Sequence, residues 1–131
     1  MPVAITTSLD EKTGLRTYVV TGETTPGELR EAIEGIYGRP DYQPGSSALW
    51  DLREAMDDAF SVRGIRGMVD AVLKGRTEKA GSRVALVVST SRVFGLSRMF
   101  EQMMAVRTPI KVMVFRDPDE AEIWAKGGGE E

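Results

Sequence analysis

The chain has 131 residues, 41% of them hydrophobic and 28% charged, and a net charge of −3, the length and composition of a one-domain globular protein. It contains neither cysteine nor histidine. That excludes disulfides, thiol nucleophiles and thiolate metal sites, and it removes the commonest metal ligand and the commonest general base near neutral pH.

Two strands are expected first. Val3–Ser8 and Leu15–Thr21 are joined by Asp10–Gly14, with Gly14 suited to a left-handed turn position, so the pair reads as a hairpin. In the second strand Arg16, Tyr18 and Val20 alternate with Leu15, Thr17 and Val19, which fits a strand at or near a sheet edge. A helix follows with a complete start signal. Thr25 can cap, Pro26 suits the first helical position, and Glu28 can reach back to the cap. Leu29, Ile33, Ile36 and Tyr37 then fall on one face. Gly38, Pro40, Pro44 and Gly45 end this helix and make a loop.

Ser47–Leu52 reads as a short central strand, and Arg53–Phe60 as a polar connection with room for a bulge. Ser61 precedes a helix with Val62, Ile65, Val69, Val72 and Leu73 on one face. Gly64 and Gly67 sit inside that pattern; each costs about 1 kcal/mol of helix stability against alanine, so either they allow close packing on the sheet or the helix begins irregularly. Lys74–Ser82 is a polar loop.

The last third carries the plainest pattern. Arg83–Ser89 (RVALVVS) is a valine-rich strand, Phe94–Met104 an amphipathic helix, Ile110–Phe115 (IKVMVF) a second strand, and Asp117–Ala125 a closing helix. The order β-β-α-β-α-β-α-β-α predicts an α/β fold: a four- or five-stranded mixed β-sheet flanked by helices, with parallel βαβ units. Leu49, Val84, Leu86, Val88, Val112 and Val114 are its expected interior. Residues 1–126 are expected to form the single domain, and 127–131 a disordered Gly/Glu tail. Met1–Asp10 lacks the basic start and apolar run of a signal peptide. No window approaches the roughly 20 apolar residues that span a bilayer, so no transmembrane segment and a cytoplasmic location are expected.

Charge is unevenly spread. Residues 1–61 carry 5 basic and 11 acidic side chains, residues 62–116 carry 11 and 3, and residues 117–131 carry 1 and 6. The basic middle alternates with apolar positions and does not cluster, and Phe60, Phe94 and Phe100 sit on apolar faces. Nucleic-acid binding is therefore not expected.

Several residues are candidates for a site. Asp51 ends the central strand, where α/β sheets place ligands, and Arg53 follows on the same side. The pair either orients a polar ligand or a loop or, as the preferred reading, is a loop-stabilising ion pair. Asp57 and Asp58 lack a third ligand at suitable spacing for magnesium, so no metal and no cofactor are expected. Ser91 and Arg92 lie where a strand hands over to a helix and form a weak anion-binding candidate, against plain capping by Ser91. No glycine-rich phosphate loop accompanies them. Met99, Met103 and Met104, with Leu96 and Phe100, make a broad soft face suited to the core, to a partner or to an apolar ligand; Met56 and Met68 fall near it.

ALWDLR, RVALVVS, FGLSRMFE and VMVFRDPDEAEIWA, taken in this order, resemble the bacterial STAS-like proteins. These are small domains similar to the anti-sigma factor antagonist fold and, more distantly, to the CRAL-TRIO lipid-carrier domains. The resemblance spans about Thr7 to Ala125. It implies a mixed sheet flanked by helices and a group that contains partner-switching regulators, which bind kinases or sigma-related partners, and many members of unknown function. It also places Ser61 near the serine that the antagonist branch phosphorylates. The Asp-Ser-Ser-Gly type signature of that branch is absent here, and N-capping is the preferred role of Ser61.

The sequence thus points to a non-enzymatic binding or regulatory domain acting through a protein partner, a homodimer among the forms this takes. The alternative is a carrier of a small apolar or lipid-like ligand. An enzyme built from carboxylates and arginines alone ranks last. Asp51, Arg53, Ser61, Met99, Met103 and Met104 are the candidate ligand or partner surface.

Overall fold

A computed structural model describes residues 4–22, 25–37, 39, 47–55, 61–75 and 83–127 of the chain. Among these the elements run β1 (Ala4–Leu9), β2 (Arg16–Gly22), α1 (Pro26–Tyr37), β3 (Ala48–Ala55), α2 (Val62–Gly75), β4 (Arg83–Val87), α3 (Ser91–Ala105), β5 (Lys111–Phe115) and α4 (Pro118–Ala125). This is the expected order. The strands form one 5-stranded sheet in the order β1-β2-β3-β4-β5. β1 is antiparallel to β2, and every other neighbouring pair is parallel.

The hairpin forms as its turn residues dictate. Gly14 has a φ of +79°, a conformation that costs glycine nothing and a branched residue much. Its N–H donates to the Asp10 carbonyl at 2.7 Å. The start of α1 is a reciprocal capping box. The Thr25 hydroxyl accepts from the Glu28 N–H at 3.1 Å, and the Glu28 carboxylate accepts from the Thr25 N–H at 2.9 Å.

Each crossover, through α1, α2 and α3, advances one strand in the same direction across the sheet. A uniform crossover hand therefore puts all three helices on one face. There Leu29, Ile33, Ile65, Val69, Phe100 and Met104 pack on Tyr18, Val20, Trp50, Leu86 and Val112. Tyr18 and Trp50 stack across β2 and β3 with centroids 4.5 Å apart. Among the described residues the helix on the other face is α4, whose Ala121, Trp124 and Ala125 pack on Leu49, Ala85 and Val87. Arg83 pins that helix: its guanidinium lies 5.1 Å from the Trp124 ring centroid and donates to the Trp124 carbonyl at 2.7 Å.

The expected interior holds, with Val114 only half-buried at the β5 edge. Three expectations need correction. β3 continues to Ala55, so the polar connection does not begin at Arg53. Val62 is 53% exposed and not part of the buried face of α2, because at the first helical position it lies beyond the residues that α1 and the sheet cover. Ser91 is not the cap of α3. Thr90 is, its hydroxyl accepting from the Val93 N–H at 3.2 Å, one residue earlier than the capping position assigned from sequence. Of the two readings of the α2 glycines, an irregular helix start is not found, since α2 runs from Val62. Nor does Gly67 mark a tight approach to the sheet: a Cβ there would make ordinary contact with Arg30 Cδ of α1 at 3.5 Å. Met56, Asp57, Asp58 and Phe60, the loop of Gly38, Pro40, Pro44 and Gly45, most of the loop after Lys74, and the tail beyond Gly127 lie outside the described residues.

Candidate functional site

Two places collect the candidate residues. The first is the end of the sheet where β3, β4 and β5 finish and α2, α3 and α4 begin. Val19 pairs with Asp51 but Thr21 with Glu54, so β3 carries one extra residue beside β2, a bulge of the kind that re-aims side chains. Asp51 and Arg53 sit at it. The Arg53 guanidinium grips both carboxylate oxygens, Nε to Oδ1 at 2.9 Å and Nη2 to Oδ2 at 2.8 Å, and the Arg53 backbone N–H donates to Oδ1 at 3.1 Å. These hydrogen bonds hold the Asp51 carboxyl below the usual aspartate range and raise Arg53. A general acid needs the opposite displacement. The pair therefore acts chemically as a closed clasp on its own strand.

Ser89 and Arg116 stitch the same end together. The Ser89 hydroxyl donates to the Arg53 carbonyl at 3.3 Å, and Arg116 donates to the Ser89 carbonyl at 3.3 Å while lying 4.7 Å above the Phe94 ring. Ser61 is half-buried and caps α2, its hydroxyl accepting from the Gly64 N–H at 3.0 Å. Ser91 and Arg92 are exposed in the first turn of α3. The sequence candidates Asp51, Arg53, Ser61, Ser91 and Arg92 thus share one end of the molecule, each in a local structural role or on the surface.

The second place is under the three helices. A cavity of about 50 Å³ lies between α1, α2 and α3 and the middle of the sheet. Its floor is Trp50 and Leu52 of β3, Val84 and Leu86 of β4, and Val112 of β5. Its roof is formed by Leu29 and Ile33, by Ile65, Met68 and Val72, and by Ser97, Phe100 and Met104. The wall is almost wholly apolar. Ser97, 2% exposed, and Trp50 are the lining residues that carry a polar side-chain group.

The methionine face of α3 divides accordingly. Met104 is fully buried and faces the cavity, while Met99, Met103 and Leu96 are half-buried and pack on the core from outside it. Met68 of α2 joins Met104 in the lining. Ser97 went unremarked in the sequence because a lone serine reads as a surface residue. Its signal was its position, midway between Val93 and Phe100 on the apolar face.

No family model and no curated protein matches the sequence. Among solved structures there is a match over nearly the whole of both chains. It is the crystal structure of an uncharacterized protein of the DUF3478 family, with a SpoIIAA-like fold, from Shewanella loihica PV-4. The two are 22% identical, the match covers 94% of this chain and 93% of that one, and the TM-score is 0.57. This chain has the SpoIIAA-like fold. That is the STAS-like architecture expected from the order of its elements. In this SpoIIAA-like fold, no helix among the described residues is long and apolar enough to cross a membrane.

Proposed function

We propose that the protein is a non-enzymatic binding domain whose ligand is a small apolar or lipid-like molecule held between the sheet and α1–α3. One observation carries this reading: the apolar cavity between the sheet and α1–α3, with buried Ser97 in its lining. Ligand sites have this make-up, mostly hydrophobic and aromatic lining with a few placed polar groups. At about 50 Å³ the cavity is smaller than such a ligand, so on this reading binding widens it. Met68 and Met104 are unbranched and re-pack at low cost, so an alkyl chain enlarges the space by displacing them. Ser97 and the Trp50 indole then orient its polar end.

A protein partner is the second reading. It is favoured by Val62, 53% exposed beside Ser61 and Arg63 at the end of the sheet where Asp51 and Arg53 sit. An apolar residue ringed by polar ones at such an edge is a normal contact point for another protein.

The test is a thermal-shift titration of wild type and Ser97→Val with medium-chain fatty acids and alcohols. The added methyl groups occupy the cavity without lengthening the side chain into the floor. Wild type should gain thermal stability with ligand concentration, as linkage requires. Ser97→Val should melt at or above the wild-type temperature and show no gain. A wild type that responds to no apolar ligand refutes the carrier reading and leaves the partner reading.

A further inference from the structure

The β1 edge of the sheet is built differently from the β5 edge. β5 begins at exposed Lys111 and is followed by exposed Arg116, charges that discourage a further strand. β1 (AITTSL) has no charge and no proline, and Thr6, Thr7, Ser8 and Leu9 are all exposed. Its backbone polarity follows from the hairpin. The Asp10 N–H donates to the Leu15 carbonyl at 2.9 Å and so points towards β2. Strand backbones alternate, which leaves the N–H and C=O groups of Ile5, Thr7 and Leu9 pointing away from the sheet.

The same three side chains lie on the helix side of the sheet, since they pair with Val20, Tyr18 and Arg16. Beside them, under α1, runs a groove of about 230 Å³ lined by Ile5, Thr7, Ala32, Gly35, Ile36 and Arg39. Leu9, 45% exposed, is on the same side of β1 and is not part of the groove's lining.

We propose that β1 pairs with β1 of a second copy of this chain, antiparallel about a two-fold axis through Thr7. Only one register uses all three outward-facing residues: Thr7 opposite Thr7 and Ile5 opposite Leu9, in both directions. It forms about six backbone hydrogen bonds. It sets threonine against threonine and leucine against isoleucine, both favourable cross-strand pairs. It also lowers each Leu9 into the other copy's groove beside Ile5. The contact is isologous, so the same knob and the same groove are each used twice and the assembly closes at two. An unrelated extended peptide would satisfy the backbone groups but has no reason to bring a leucine at this register, whereas a second copy brings Leu9 by symmetry. The result joins two sheets into one continuous sheet across the dimer. The contact is small, so the affinity is micromolar or weaker. This inference stands apart from the cavity under α1–α3.

Sedimentation velocity from micromolar to millimolar concentration tests it. Wild type should show a dimer whose share rises with concentration. Thr7→Pro removes an N–H that β2 does not use, and should weaken the dimer at least tenfold while the thermal melt barely moves. A cysteine scan reads the register without relying on the proline variant, since the chain has no cysteine of its own. Two copies of Thr7→Cys face each other within disulfide reach and should cross-link on mild oxidation. Leu9→Cys should not, because the two Leu9 positions are offset by more than about 13 Å along the strands. A wild type that stays monomeric to millimolar concentration, a dimer indifferent to Thr7→Pro, or equal cross-linking at positions 7 and 9 overturns the proposal.

Discussion

Arg53 holds Asp51 by both oxygens at 2.8–2.9 Å, yet its side chain is 41% exposed. Solvent screens such a pair, so it is worth at most about 1 kcal/mol. Its pH dependence has a definite sign. The Asp51 carboxyl titrates below the ordinary 3.8, chiefly through its hydrogen bond from Arg53. A depressed folded-state value means the contribution is full above the unfolded value and is lost as pH falls through the folded one. Urea melts of wild type and Asp51→Asn should therefore differ by a constant small amount from neutrality down to about pH 4 and converge below it. A gap undiminished near pH 2 would show that the pair is not its source. From residue types and spacing, a loop-stabilising ion pair is the preferred reading of these two residues over a ligand-orienting role. The two-oxygen grip and the bulge in β3 are contained in no spacing rule.

Elements were the most legible level. The α1 start was readable to the residue because a capping box is local chemistry: Thr25 and Glu28 satisfy each other's N–H groups with no help from the fold. The α3 start was misplaced by one residue because Thr90 and Ser91 are adjacent and chemically equivalent caps. Only the direction in which β4 enters the helix decides between them. Within α3 the buried residues are Val93, Ser97, Phe100 and Met104. Helical spacing identified the face but not its depth: Met103 and Met104 are neighbours in sequence, and their burial depends on how α3 sits on β5. Met104 is 0% exposed, so Met104→Glu buries an unpaired carboxylate and should cost several kcal/mol, on the order of 3–5. Met103→Glu leaves the carboxylate a path to water and should cost under about 2 kcal/mol. Chemical denaturation of both variants measures the difference. Equal losses would mean that the two side chains are equally enclosed.

At the scale of the molecule, the fold gathers three of its four helices on one side of the sheet. Three same-handed crossovers place α1, α2 and α3 together over the sheet, and their shared roof leaves a cavity. α4 packs on the opposite face with Trp124, Ala121 and Ala125. The composition of the chain was informative here by exclusion, because the absence of histidine and cysteine directs attention from catalysis to shape. What the sequence did not contain is the cavity itself, since its lining comes from α1, α2, α3, β3, β4 and β5 and exists only once they pack. The central claim is that this cavity opens to take an apolar ligand, and the methionines report on it directly. Met68 and Met104 line the cavity, whereas Met113 packs on the α4 side of the sheet. In protein labelled with ¹³C at the methionine ε-methyl groups, adding a medium-chain fatty acid should shift the resonances of Met68 and Met104 in a saturable way and leave Met113 in place. Unchanged resonances for Met68 and Met104 throughout the titration would contradict the account.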